Sequence, residues 1–500
     1  MFDKIKRLGT ETAIYGVSTI LGRFLTFILT PVYANILPPS EVGIIATVYA
    51  YIAFLNVLYG FGLEGAYMKY TSTLEVGNKK QNFSVAFLSL TITSFLFSVF
   101  IFLQSDSLAA MTHLSTTYHS LPKYTAWILF LDAVAIVPFA SLRMAGKARQ
   151  FAALKLVNIV VNVVCNLVFL LSYKMGIEAI FYSNIVASGC TLLLLLPTII
   201  KNTTLEWNGS LYGALLRFGL PTVPSYIATM MIQVIDRPIL EALTDKATVG
   251  IYQANYRLGI FMMLVVSMFD FAWRPFFLSH AKEPDAKRLF ARVLTYFILI
   301  TSWVFLIVSF FIDDIVKLPI FWGRSILPEP YWTGLAIVPV VLLAYIFLGI
   351  SNNVAAGIYI EKKTRQLPTV TFLGAFVNIV SNLLLIPTLG IMGAAIATLL
   401  SYAVMAIALY IVVQRFYRVE YEFMRIAKIV ISALIVFLLF LPLRMETMEL
   451  LWKCALLVLF GALMYWMKFF EPAELRTLSG LFRRREQTDR APEIPPEIGS

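Results

Sequence analysis

The stretch Val377–Met405, VNIVSNLLLIPTLGIMGAAIATLLSYAVM, decides how this chain folds. It is almost wholly apolar and is broken only at Pro387–Gly390. Extended to Pro368 on one side and Val413 on the other, each arm has the roughly twenty residues that a helix needs to cross a bilayer. So short a Pro-Thr-Leu-Gly break reads as the turn of a hairpin between two membrane helices. Asn378, Ser381 and Asn382 recur at helical spacing and share one face. In lipid that face turns toward protein, where side-chain amides find partners.

The same pattern occurs earlier in the chain. Val157-Asn158-Ile159-Val160 with Asn162 returns as Val377-Asn378-Ile379-Val380 with Asn382, and Gly176-Ile177 answers to Gly390-Ile391. Arg149-Gln150 is echoed by Arg365-Gln366. A second set repeats without gaps: Pro31, Val42-Gly43-Ile44 and Tyr49 return as Pro238, Val249-Gly250-Ile251 and Tyr256. The chain is read as a duplicated membrane bundle.

Composition agrees. Hydrophobic residues make up 59% and charged residues 14% of the chain, against roughly 45–50% and about 25% in soluble domains. One water-soluble core cannot hide that excess. The formal charge of +11 sits in short loops between apolar runs, so it is a topology signal before it is a nucleic-acid signal. Cys165, Cys190 and Cys454 all fall in expected spans and imply no disulfide framework. The basic start (Lys4, Lys6, Arg7) leads into an apolar run too long for a cleaved leader and is read as the first span.

The expected fold is an all-α polytopic membrane protein of about fourteen transmembrane helices. They form two pseudo-symmetric six-helix lobes, residues 1–205 and 206–418, followed by two additional helices within 419–470 and a partly disordered tail, 471–500. The spans lie near 12–36, 42–63, 82–104, 124–141, 151–172, 177–200, 211–236, 249–273, 290–312, 333–356, 368–386, 391–413, 424–442 and 450–469. Every second loop is basic, as at Lys79-Lys80, Arg143–Arg149 and Lys362–Arg365, which places both termini in the cytoplasm by the positive-inside rule. The basic cluster Arg483-Arg484-Arg485 in the tail is read as touching anionic lipid.

With these residues in hand, the chain resembles the polysaccharide (O-antigen, lipid-linked oligosaccharide) flippase branch of the multidrug/oligosaccharidyl-lipid/polysaccharide exporter superfamily. The resemblance rests on Asn378 and Asn382 followed by Pro387–Thr398, on Leu21-Gly22-Arg23 with the Pro38–Gly43 turn, and on Tyr252–Arg257. It implies two lobes facing a central cavity that opens alternately to either side of the inner membrane. The cargo it implies is an isoprenoid-pyrophosphate-linked oligosaccharide moved from the cytoplasmic to the outer leaflet. Membrane lipids and other polysaccharide assembly proteins are the expected partners, and no nucleic acid.

Such a cargo needs cations facing a wet cavity, because unpaired charge cannot be buried in hydrocarbon. Arg23 and Arg257 are the candidates for the pyrophosphate, one per lobe, since a guanidinium fork suits phosphate oxygens. They also match places where related lipid II flippases carry cavity arginines; the competing reading is a structural pair with a carboxylate or helix-end carbonyls. Asp236 and Arg237 are candidates for a gate, against a reading as an adjacent pair snorkelling to the interface. Asp132 and Asp270 are candidates for ion coupling, against simple pairing with an arginine. Glu64 and Lys155 read as snorkelling at span ends, and Asn158, Asn162, Asn378 and Asn382 as interhelical hydrogen bonds. Pro221 and Pro224 should kink the seventh span.

Neither a metal site nor a cofactor is expected: His113, His119 and His280 have no ligand spacing, and no phosphate-binding glycine loop or nucleophile elbow occurs. The chain is therefore read as a transporter rather than an enzyme. A multidrug antiporter of the same superfamily is the nearest rival, and a membrane-embedded glycan polymerase or ligase the next. The short outer loops argue against the second.

Overall fold

The computed structural model describes residues 20–22, 24–25, 27–112, 116–204, 206–320, 323–443 and 450–471. Their regular structure is helical, in chain order: α1 (within Ile20–Ile36), α2 (Pro39–Thr73), α3 (Lys79–Leu103), α4 (Leu121–Met144), α5 (Ala148–Ser172), α6 (Glu178–Asn202), α7 (Gly209–Val234 continued by Asp236–Leu243), α8 (Lys246–Leu258 continued by Ile260–His280), α9 (Ala286–Lys317), α10 (Glu329–Ile360), α11 (Gln366–Leu389), α12 (Ile391–Gln414), α13 (Phe423–Leu443) and α14 (Leu450–Trp466). Eleven helices among the described residues are long and apolar enough to cross a membrane, or twelve with bent α7 taken as one. The apolar helices at the places of the first and fourteenth expected spans, Ile20–Ile36 and Leu450–Trp466, are shorter. The all-helical polytopic fold is thus as the sequence implies, with eleven or twelve helices of full crossing length among the described residues.

Local chemistry explains where the helices start and bend. Asn78 accepts from the Gln81 amide, and the Gln81 side chain accepts from the Asn78 amide, a reciprocal box that starts α3. Asp245 caps α8 by accepting from the Thr248 amide and hydroxyl. Both bonds, the hydroxyl first, hold the exposed Asp245 carboxyl below its usual range. In α7, Pro221 sits in a 3₁₀ turn, Leu220–Thr222, rather than at a sharp kink. The sharp bend, 51°, comes at Ile235. Pro238 lacks an amide and crowds the carbonyl of Val234, so the helix cannot run straight through that turn.

Packing divides the chain into two compact units, Met1–Phe290 with Ile312–Val419, and Ala291–Phe311 with Glu420–Ser500. In the second, Trp303 packs on Phe460, Phe305 on Phe437 and Phe310 on Phe440. Arg292 pairs there with Glu422 and Glu471. The middle of α9, which repeat counting assigns to the second lobe, groups by these aromatic contacts with the two C-terminal helices.

A reciprocal contact lies at the centre of the first unit. A Cβ on Gly43 would fall on the carbonyl of Lys246, and one on Gly250 would fall on the carbonyl of Pro39. Gly43 and Gly250 are the repeated glycines, and Pro39 and Lys246 are likewise equivalent in that register. The N-terminal turns of α2 and α8 therefore cross by the same contact made twice, as an isologous pair does. At the same end the Asn35 amide donates to the carbonyls of Ser325 (3.0 Å) and Ile326 (3.2 Å), and Arg324 donates to the Asn35 carbonyl. At the far end, Gly62 and Gly219 meet backbone to backbone, Gly62 with φ +69°. The halves thus touch at both ends and leave a space between.

Candidate functional site

That space is a cavity of about 300 Å³ lined by α1, α2, α5 and α6 of the first half and by α7 and α8 of the second. Its polar walls carry Thr30, Tyr33, Tyr49, Asn162, Asn184, Arg237, Gln253 and Arg257. Asp and Glu side chains are absent from its described lining.

The bend of α7 places the first cation. Arg237 gives its backbone amide to Asp236 Oδ1, which leaves the Gln233 carbonyl without its usual i+4 donor. The Arg237 guanidinium fills that role, donating Nη1 to Gln233 O and to Asp236 Oδ1. Its Nε donates to Gln253 Oε1 at 3.1 Å, and its face lies 4.6 Å from the centroid of Tyr256. Asp236 accepts a further hydrogen bond from the Tyr252 hydroxyl. Asp236 is 1% and Arg237 7% exposed, so the pair is buried in the cavity wall and does not snorkel to an interface.

The second cation differs. Arg257, on the last turn of Lys246–Leu258, is half-buried and donates to Thr30 Oγ1 at 3.1 Å. No carboxylate lies within ion-pair distance of it among the described residues, and it faces the cavity. A desolvated guanidinium without a counter-charge is costly, so this position favours an incoming anion.

The neutral groups reinforce that preference. Asn162 Oδ1 accepts from Asn166 at 3.1 Å, Asn184 Oδ1 is within reach of Ser188, and Gln253 Oε1 accepts from Arg237. Each amide oxygen on the wall thus has a protein donor within reach, although Ser188 shares its single proton between Asn184 and Asp132. Tyr33 gives its proton to Asn166 Oδ1 (2.8 Å), whereas Tyr49 accepts from Asn184 Nδ2 (3.0 Å) and keeps its own proton to give. For a ligand the wall thus offers two guanidinium groups and the Tyr49 proton, with no carboxylate among its described residues.

A second cavity, about 480 Å³, lies inside the first half and adjoins the first at Asn184. Asp132 and Lys155 line it, with the Glu64–Arg143 ion pair. Ser188 donates to Asp132 Oδ1 at 2.7 Å, Asn158 donates to Thr191 at 2.9 Å, and the Lys155 ammonium sits 4.3 Å from the Phe139 ring centroid. Glu64 and Lys155 therefore face a protein cavity instead of snorkelling outward.

The other residues singled out in the sequence scatter. Arg23 lies outside the described residues. Asp270 pairs with Arg274 one turn on at 3.3 Å and lines neither cavity, a local helix pair in place of a coupling position. Asn378 and Asn382 are fully buried, and Asn382 Nδ2 donates to Asn378 O and Oδ1, a clasp within one helix rather than between two. Asn166 makes the same clasp on Asn162, so the geometric repeat runs one helical turn away from the aligned letters. Thr30, Asn184 and Ser188 were missed: Asn184, Ser188 and Thr191 do fall at i, i+4 and i+7 on one helical face, but small polar residues so spaced in an apolar span read first as packing. Outside the membrane helices, the Tyr118 hydroxyl donates to Glu41 at 2.9 Å, and burial with that carboxylate pushes its pKa up to about 12.

Comparison with known proteins then bears out the resemblance. A family model described as "Polysaccharide biosynthesis protein" matches residues 32–269. Among solved structures, the lipid II flippase MurJ in an inward closed conformation superposes with a TM-score of 0.73 at 14% identity, covering 91% of this chain and 98% of that one. An inward-facing multidrug resistance MATE family transporter of the MOP superfamily gives 0.63 at 14% identity, over 79% and 94%. A MOP superfamily transporter from Pyrococcus furiosus, described as having a binding pocket of reverse polarity that suggests a different function, gives 0.57 at 14% identity, over 82% and 94%. A search of proteins with curated function finds no match. At these identities the superpositions establish the fold alone.

Proposed function

We propose that this membrane protein is a flippase for a lipid-pyrophosphate-linked oligosaccharide, working by alternating access of its two halves. The observation that carries this reading is the charge of the central cavity: two arginines, one of them without a carboxylate partner among the described residues, and no Asp or Glu on the described wall. A pyrophosphate and sugar hydroxyls are rich in acceptors and match that lining. Arg257 is the primary pyrophosphate contact and Arg237 the second, with Arg23 as a further contact from the opposite half. The reciprocal glycine crossing at Gly43 and Gly250 is the closed outer gate, and Asp236 serves it by holding Arg237. The protein sits in the inner membrane with both termini cytoplasmic, and it moves cargo outward for surface polysaccharide assembly such as O-antigen of lipopolysaccharide, beside other assembly proteins.

A second reading, cation antiport, has one observation in its favour: Asp132 lines the first-half cavity with a serine as its hydrogen-bonded partner. Titrating the purified protein with farnesyl pyrophosphate and with a lipophilic cation separates the two. The flippase reading predicts that pyrophosphate binds and that Arg257→Ala weakens it roughly 10- to 100-fold, the weight of one charge-assisted contact. Cation binding lost in Asp132→Asn, with no pyrophosphate binding, would reverse the order.

A further inference from the structure

The two cavities share one residue. Asn184 lines both, and its amide joins two hydrogen bonds that point in opposite directions. On the central side Nδ2 donates to the Tyr49 hydroxyl at 3.0 Å. On the other side Oδ1 lies 3.3 Å from Ser188 Oγ, and Ser188 Oγ lies 2.7 Å from Asp132 Oδ1. Ser188 has one proton and two acceptors in reach, so its hydroxyl is a rotor with two seats. Tyr49 is held in place by stacking on Phe181, 5.5 Å between ring centroids.

Resting on the anion-site reading above, we propose that Tyr49 donates its hydroxyl hydrogen to the anionic headgroup, and that Asn184 and Ser188 set its donor strength according to the state of Asp132. While Asp132 carries its charge, the serine proton is drawn to the carboxylate and Asn184 Oδ1 is weakly held. When the carboxyl is neutral it donates to Ser188 Oγ, and the serine proton turns to Asn184. An amide that accepts more strongly at oxygen donates more strongly at nitrogen, and a hydroxyl that accepts more strongly donates more strongly in turn. Neutral Asp132 therefore tightens the grip of Tyr49 on an anion in the neighbouring cavity. The charged groups facing Asp132 in its own cavity are Lys155 from α5, Glu64 from α2 and Arg143 from its own α4. Helix α3, also packed on α4, contributes no lining residue there. Asn184 and Ser188 act as positioning residues, and of these four residues Tyr49 alone touches the ligand.

Simple Coulomb repulsion between Asp132 and an anion would have the same sign, so the test must separate wire from field. Farnesyl pyrophosphate is titrated into the purified full chain in detergent at fixed salt. Tyr49→Phe should weaken binding, and Asp132→Asn should tighten it, each roughly 5-fold, the scale of one hydrogen bond. In a Ser188→Ala background the Asp132→Asn gain should fall below roughly 2-fold, because the rotor is gone while the field remains. Asn184→Ala breaks the chain at the next link and replaces Ser188→Ala should that variant not fold. An equal gain from Asp132→Asn in both backgrounds, or unchanged binding in Tyr49→Phe, overturns the proposal. Wild-type protein that does not bind the probe at all would instead overturn the anion-site reading beneath it.

Discussion

The two halves share a frame and differ in what they enclose. Helices α2 and α8 cross through equivalent glycines, and α5 and α11 carry the same asparagine clasp. Behind that frame, the first half holds a polar cavity of about 480 Å³ bounded by α2, α4, α5 and α6. In the second half the space between α10, α11 and α12, the equivalents of α4, α5 and α6, is filled together with α7 by Ala228, Ile232, Ala344, Ala375 and Tyr402, with Met405 packed against them. Counting equally from Gly176 and Gly390, Tyr402 takes the place of Ser188 and Met405 that of Thr191. A large ring and a thioether close in one half the space that a hydroxyl pair leaves open in the other. The two halves share a scaffold, and a few positions decide which half packs solid and which can take up charge.

The comparison can be broken most severely at Arg237. Arg237→Ala would leave Asp236 buried without its cation, at a cost of about 3–5 kcal/mol. Asp236→Asn with Arg237→Gln should cost less than the single change, as read by thermal unfolding in detergent. Next come the paired positions. Tyr402→Ser removes a ring from a packed cluster and should cost about 3–5 kcal/mol, whereas Ser188→Ala, on a cavity wall, should cost about 1 kcal/mol. Equal losses at the two would mean that the halves are not packed differently. The smallest of the three sharpens the symmetric part. Gly43→Ala and Gly250→Ala each drive a Cβ into the facing backbone, and each should cost about 1–3 kcal/mol. Unequal melting shifts would show that the crossing is not reciprocal in energy.

Much of this was legible in the sequence, for reasons specific to membrane chains. A helix in lipid must be apolar along its length, so the spans and the repeat stand out as letters. Gly43 and Gly250 could be paired by register before any contact was known. Burial could not be read in the same way. Glu64 and Lys155 sit near span ends, where snorkelling is the usual outcome, yet both turn inward because α2, α4 and α5 leave a cavity there. Asp270 looked as deep as Asp132, but Arg274 one turn away neutralises it. Asn184 shares a helical face with Ser188 and Thr191 in the sequence, but its place between two cavities is a property of the packing.

The central claim is that the cavity between the halves carries an anionic lipid-linked glycan across the membrane. Its most direct test is reconstitution into vesicles holding a fluorescent polyprenyl-pyrophosphate oligosaccharide, with leaflet exposure followed by a membrane-impermeant quencher. The account predicts protein-dependent movement between leaflets that is lost in Arg257→Ala while that variant keeps the wild-type melting temperature. Wild-type vesicles that leave the probe in its original leaflet, yet exchange a lipophilic cation in a manner that needs Asp132, would contradict it.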